Sequence, residues 1–432
     1  MPGTQARARF AIERTRQAHV QSAGQTAPCW FVRVCANVFS FLCMQDDLSR
    51  TRSRMSIAQA VPQHPPFWHN LKQDVFFWSL LAICSALTLA APKRIVEYPA
   101  LIDWHTIAAL AGLLILTKAV EASGMLQLLG RRLVDVVSSQ RVLALSLVAA
   151  SAVLSTVLTN DVALFVIVPL TVGLRRVASL PVARLVIFEA LAVNAGSALT
   201  PIGNPQNLFL WHQSGLSFGA FVWQMAPMVL LLMALLLAVT WLAFASHEIH
   251  LHAETDDVEL HKRLLVPALV LYVPFLVLTD LGHPLVAAGG LIVLYLVGAR
   301  YVLARVDWGL LLVFMLMFID LRLVAQLGIV RQALDALTLN NPMHLYWAGI
   351  GVSQFISNVP AAILLAEYSH DWPMIAFAVS VGGFGTLLGS LANLIALRML
   401  GERRAWWVFH AYSMPFLLAA AGLVYTWLVW LR

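Results

Sequence analysis

Two short polar strings interrupt an otherwise apolar sequence, and each occurs twice. Thr159-Asn160-Asp161-Val162-Ala163 is answered by Ser357-Asn358-Val359-Pro360-Ala361. Thr200-Pro201-Ile202-Gly203-Asn204-Pro205-Gln206-Asn207-Leu208 aligns without a gap with Thr386-Leu387-Leu388-Gly389-Ser390-Leu391-Ala392-Asn393-Leu394. Gly, Pro and Asn at membrane depth break a helix, and the backbone groups set free are tolerated only where they are buried in protein or line a cavity. A half-helix restarting after a break aims its N-terminal N–H groups at an anion, while unwound carbonyls and Asn or Ser oxygens suit Na+. One such residue alone reads as glue between packed helices; matched tips and matched breaks point to binding of a small charged solute. Bond-making chemistry has no counterpart, since neither HExxH nor GxSxG is present. An enzyme is not expected, and duplicated breaks argue against a receptor or scaffold that moves nothing.

Two carboxylates lie at the same depth. Asp161 at the first tip and Glu189 ahead of the first break are candidate coupling carboxylates, because a charge there is costly and usually functional. Each can be a cation ligand or a proton carrier. For Glu189 a position at the cytoplasmic interface competes, because Arg184 lies just before it. Asp320 with Arg322, and Lys118 with Glu121, read as interfacial ion pairs. Arg398 reads as an interfacial Arg snorkelling to the cytoplasm, so no cation is placed to neutralise a dianion. His247, His250, His252 and His261 in the loop 247–262 read as a solvated linker rather than a metal site. Trp211 and His212 either line an outer vestibule or join an aromatic belt. Cys29, Cys35, Cys43 and Cys84 show neither a CxxC pair nor metal-ligand spacing. No metal or cofactor is expected.

The elements that must position these residues are membrane helices. Sixty per cent of residues are hydrophobic, 12% are charged and the mean hydropathy is +0.78, against about 25% charged in soluble domains. The main partner is therefore the lipid bilayer. Lys and Arg sit in short loops between apolar runs, as topology signals rather than a nucleic-acid face. The stretches 141–174 and 344–368 are too interrupted to be two full crossings each, and read as re-entrant hairpins. With that topology Lys72, Arg131, Arg132, Arg175, Arg176, Lys262, Arg263, Arg403 and Arg404 fall inside, and Lys93, Arg94 and Arg331 outside, as the positive-inside rule requires.

The spacing repeats over longer distances too. Asp103-Trp104 precedes one span and Gly124 follows it; Asp307-Trp308 and Gly328 bracket another at the same separation. The first hairpin enters from the cytoplasm and the second from outside, so the expected fold is an all-α polytopic membrane protein of two inverted-topology repeats, each with a re-entrant hairpin and a broken transmembrane helix. Residues 1–54 are a basic extension, read as a disordered tail, an interfacial helix or sequence upstream of a true start at Met55. Residues 55–99 hold the first transmembrane helix and its lead-in. Repeat 1 spans 100–217 (hairpin 141–174, broken helix 183–213), connecting helices 218–303, repeat 2 304–402 (hairpin 344–369, broken helix 372–400), and the last helix 403–432.

At these motifs the chain resembles the ion-transporter superfamily of citrate-transporter-like permeases, divalent anion–sodium symporters and the arsenite pump membrane subunit. LTNDVALFVIVPL (158–170), EALAVNAGSALTPIGNPQNLFLW (189–211), DWGLLLVFMLMFID (307–320), SQFISNVPAAILL (353–365) and GGFGTLLGSLANLIALRM (382–399) look like a bacterial inner-membrane permease of the citrate-transporter-like branch. The resemblance runs from Met55 to the C-terminus. It implies that each tip meets the break of its own half with substrate between, using Thr159, Asn160, Thr200, Gly203, Asn204 and Asn207 in one site. The other would use Ser357, Asn358, Thr386, Gly389, Ser390 and Asn393. The sodium–dicarboxylate branch carries Ser-Asn-Thr at each tip; here both tips depart from it, Asp161 adding a carboxylate and Val359 offering no side-chain oxygen. The implied activity is secondary transport of a small anion such as a carboxylate across the bacterial inner membrane, coupled to Na+ or H+ by alternating access. A Na+/H+ antiporter and an arsenite-type efflux permease are the alternatives. A homodimer is the assembly the resemblance implies.

Overall fold

The computed structural model describes residues 75–129, 139–174, 180–248, 260–402 and 404–430. The extension 1–54, Lys72, the pair Arg131 and Arg132, and the central part of the histidine-bearing loop, with His250 and His252, lie outside the described residues. Regular structure among the described residues is helical, apart from one isolated bridge between Ser139 and Glu248. Six of the helices are long and apolar enough to cross a membrane.

The chain opens with α1 (Val75–Ala90) and α2 (Trp104–Ala122), followed by α3 (Gln140–Val157), α4 (Asn160–Gly173), α5 (Val182–Ser197) and α6 (Pro205–Ser214). Three connecting helices come next, α7 (Phe218–Ala243), α8 (Lys262–Asp280) and α9 (Pro284–Gly298). The order of types then recurs: α10 (Trp308–Ala325), α11 (Gly328–Asp335), α12 (Pro342–Ile356), α13 (Asn358–Ala366), α14 (Trp372–Gly382) and α15 (Leu391–Leu400), with α16 (Ala405–Trp430) last.

Local chemistry explains the recurrence. Asp103 caps α2 by accepting the N–H of Thr106 at 3.0 Å, and Asp307 caps α10 by accepting those of Gly309 and Leu310. The indole of Trp104 donates to the Pro99 carbonyl and that of Trp308 to the Leu303 carbonyl, five residues back in both cases. The repeated Asp-Trp pair is thus a repeated helix start.

Burial divides the helices into two populations. From Leu185 to Ser197 every residue of α5 is buried, as is every residue of α14 from Met374 to Gly382. These helices form the centre. By contrast α7, α8, α9 and α16 leave Trp223, Leu230, Val270, Val273, Leu294, Val297, Trp407 and Leu418 exposed, an apolar rim suited to lipid rather than water. At one end of α7 the guanidinium groups of Arg141 and Arg184 donate to the carbonyls of Phe244 and Ala243, both at 2.8 Å. They satisfy the C-terminal acceptors and oppose the negative end of the helix dipole.

Candidate functional site

In the first half α3 stops at Val157, Leu158 and Thr159 run extended, and α4 restarts at Asn160. Three bonds hold this tip. The Tyr272 hydroxyl donates to the Val157 carbonyl at 2.7 Å, Thr200 Oγ1 donates to the Thr156 carbonyl at 2.6 Å, and the Asn160 N–H donates to the Gly203 carbonyl at 2.9 Å. The tip is therefore tied to the break between α5 and α6. A Cβ on Gly203 would lie 2.3 Å from the Ser197 carbonyl oxygen and 2.8 Å from that of Ser155, so the converging backbone admits only glycine. Asn204 caps α6, its Oδ1 accepting the Asn207 N–H at 2.8 Å with Pro205 at the first helical position. The Asn207 amide reaches back across the break, Nδ2 donating to the carbonyls of Ser197, Ala198 and Thr200 at 3.4, 3.0 and 3.2 Å.

The second half repeats this wiring. Thr386 Oγ1 donates to the Gln354 carbonyl at 2.9 Å, as Thr200 does to Thr156. Asn393 Nδ2 donates to the carbonyls of Gly383 and Thr386 at 3.0 and 3.3 Å, the same two offsets that Asn207 spans to Ser197 and Thr200. Ser390 caps α15 where Asn204 caps α6. Gly389 is crowded by the Gly382 and Phe384 carbonyls much as Gly203 is by its own loop. A close approach by glycine occurs in both halves at the helix before the break. A Cβ on Gly196 would meet Ala152 backbone at 2.3 Å, and one on Gly382 would meet Ser353 at 2.6 Å.

The tips themselves differ. Ser357 alone makes the second turn, with φ 77° and ψ 156°, a region almost reserved for glycine. The Gln354 side chain locks the second break, Nε2 donating to the Gly382 carbonyl at 2.7 Å and Oε1 accepting the Thr386 N–H at 2.9 Å. Thr156, its counterpart in the first half, is too short for this, and its hydroxyl turns back to the Val153 carbonyl. Asp161 lies in the first turn of α4, half-buried, where the helix dipole favours a carboxylate. Val359, at its counterpart, is buried.

Of the predicted site residues, all six in each half gather at one tip and one break, Asn358 approaching Gly383 across the second. Glu189 does not join them. It is fully buried and accepts a hydrogen bond from Thr171 Oγ1, about 16 Å along α4 from the tip. The carboxylate is enclosed by the protein, with the Thr171 hydroxyl as its hydrogen-bond partner. Lys118 and Glu121 pair at 2.8 Å as expected. The Asp320–Arg322 pair does not form. Arg322 Nε lies 3.0 Å from Glu367 Oε1 and its guanidinium also donates to the Leu101 carbonyl, while Asp320 is buried and lies beside Cys84. Adjacent helix positions two apart point to different sides, which separates the two charges. Trp211 is buried, its indole donating to the Leu216 carbonyl at 2.7 Å, so it packs the helix end rather than lining a vestibule. Arg398 is exposed in the last turn of α15. No group of three or more His, Cys, Asp or Glu side chains capable of holding a metal occurs among the described residues.

Two contributors escape a sequence reading. Asn194, on α5, crosses to the other half, its Nδ2 donating to Asn393 Oδ1 at 2.8 Å and facing the Gly383 carbonyl at 3.5 Å. Gln354 is the other. Their signal is a lone amide side chain in an apolar run just before a tip or a break.

A helical protein with an apolar rim and polar, wired breaks at its buried centre is a multi-pass membrane protein of the transporter class. The sequence profile of the citrate transporter family matches residues 76–371. Inner membrane protein YbiR of Escherichia coli (strain K12) is 48% identical over 84% of this chain and 98% of its own length. An uncharacterised transporter of Methanocaldococcus jannaschii is 31% identical over 76% of this chain and 90% of its own, and one of Mycobacterium bovis is 26% identical over 76% and 86%. The chain belongs to the citrate transporter family, and is a multi-pass inner-membrane transporter rather than an enzyme.

Proposed function

We propose that the chain is a secondary active transporter that carries a small anion, a carboxylate by preference, across the inner membrane with Na+ or H+ as the coupling ion. Its two halves, 100–217 and 304–402, act as inverted repeats. α3 with α4, and α12 with α13, are re-entrant hairpins whose tips meet the two breaks. The observation that carries this reading is the duplicated wiring in which Asn207 and Asn393 clasp the carbonyls of their own breaks. That clasp fixes the starts of α6 and α15, so their free N–H groups hold a constant aim at an anionic group. The residues that contact solute and ion are Thr159, Asn160, Thr200, Gly203, Asn204 and Asn207, with Ser357, Asn358, Thr386, Gly389, Ser390 and Asn393. The family's description as citrate transporters supports a carboxylate as the substrate class.

Purified protein in proteoliposomes should accumulate a labelled di- or tricarboxylate when an inward Na+ or H+ gradient is imposed. Absence of accumulation under every gradient sinks the anion reading. A Na+/H+ antiporter is the second reading, favoured by the half-buried Asp161 at a tip and by the fully buried Glu189. In acid-loaded vesicles it would show as Na+-evoked internal alkalinisation without any organic solute. An arsenite-type efflux permease would instead show arsenite flux in the same vesicles.

A further inference from the structure

The bridge from Asn194 to Asn393 has no equal in the other half, and what stands in its place are two unpaired oxygens. At the offset that carries Thr200 to Thr386 and Asn207 to Asn393, Asn194 falls on Ser380. The mirror of the Asn194–Asn393 bond is therefore a meeting of Ser380 with Asn207. Their helices do meet, since α14 packs on α6 as α5 packs on α15. The Asn207 Oδ1 and Ser380 Oγ atoms are both buried and neither has a hydrogen-bond partner, so they are not bonded to each other. The orientation of the Asn207 amide is fixed, because three carbonyl oxygens require its nitrogen on the break side and turn its oxygen away. Desolvated acceptors left unpaired are destabilising. In the second half the positive end of an amide dipole meets that need.

We infer that a small monovalent cation of the Na+ type binds between Asn207 Oδ1 and Ser380 Oγ, where the other half uses the Asn194 side chain. The donor set is neutral oxygen, which suits a monovalent ion; divalent ions are held through carboxylates. Thr159 and Asp161 at the tip take no part, so this ion lies on the contact between the halves. The inference rests on the inverted-repeat reading above.

The test is binding of labelled Na+, together with the melting temperature in NaCl against choline chloride at equal ionic strength, on the full chain in detergent. The wild type should bind Na+ and melt higher in it. Ser380→Asn supplies the missing amide and should abolish both effects while the protein stays folded; Ser380→Ala, which removes one ligand, should weaken Na+ binding about tenfold. Thr156→Ala, which removes a hydroxyl that only turns back to the Val153 carbonyl, should leave them in place. Na+ binding that survives both Ser380 variants and disappears in Thr159→Ala overturns this site and leaves the transport reading standing. Equal behaviour of the wild type in Na+ and choline also overturns it, as expected if only a water bridges the two oxygens; carboxylate uptake by the same protein then decides the transport reading separately.

Discussion

The first hairpin tip turns through two extended residues and the second through one strained serine, although the breaks they touch are wired alike. At Leu158–Thr159 the backbone is relaxed, the acid is half-buried and the tip is joined to the break by backbone and hydroxyl bonds. At Ser357 the backbone is strained, the matching position is a buried valine, and Gln354 fills the loop. The bonds that shape the backbone match between the two regions, while the side chains at Asp161 and Val359, and at Thr156 and Gln354, differ. Under the proposed transport reading, these differences divide the molecule into a rigid second half and a chemically active first half.

The largest test of that division is Asp161→Asn. Gradient-driven uptake in proteoliposomes should fall by about a hundredfold, roughly 2.7 kcal/mol of barrier, with binding of the solute retained; undiminished flux would place the coupling chemistry elsewhere. Gly196→Ala comes next, since a methyl group there meets backbone at 2.3 Å. A loss of about 3 kcal/mol is expected by thermal or denaturant unfolding, and about half that for Gly382→Ala, whose first obstacle is a serine side chain. Equal losses would show that the two hairpins pack alike. Gln354→Ala should cost about 1–2 kcal/mol by leaving the Thr386 N–H and the Gly382 carbonyl unanswered, while Thr156→Ala should change stability by no more than about 0.5 kcal/mol. A last pair of variants separates the tips by sign. Ser357→Gly should stabilise by about 1 kcal/mol through relief of strain, whereas Thr159→Gly, at an ordinary extended position, should destabilise by about the same amount. Matching signs would remove the claim that only one tip is strained.

Much of this was legible in the sequence because the features that break a helix are local. Gly203, Asn204 and Pro205 announce a stop and a restart within three residues, and Thr159–Asn160 does the same for the first hairpin. The helix starts at Asp103-Trp104 and Asp307-Trp308 were visible as a spacing, and the structure adds their cause. Partnerships between distant residues were not legible. Arg322 chooses Glu367 over Asp320, two positions away, because helix geometry turns neighbours apart. Asn194 was hidden in a string whose polarity the break alone seemed to explain, and its partner Asn393 lies on a helix of the other half. Gln354 reads as one more polar residue near a tip until its side chain is seen spanning the second loop.

α9 is only 15 residues long, about 22 Å of rise, against a hydrocarbon core of about 30 Å. Its exposed face carries Val293, Leu294, Leu296 and Val297, an apolar surface suited to lipid. A bilayer meeting so short a span must thin beside it or let the helix ends draw in headgroups, at a fraction of a kcal/mol per ångström of mismatch. Acyl-chain length then becomes a variable of this protein's energetics, and reconstitution into short-chain lipids should favour whichever conformation keeps α9 upright.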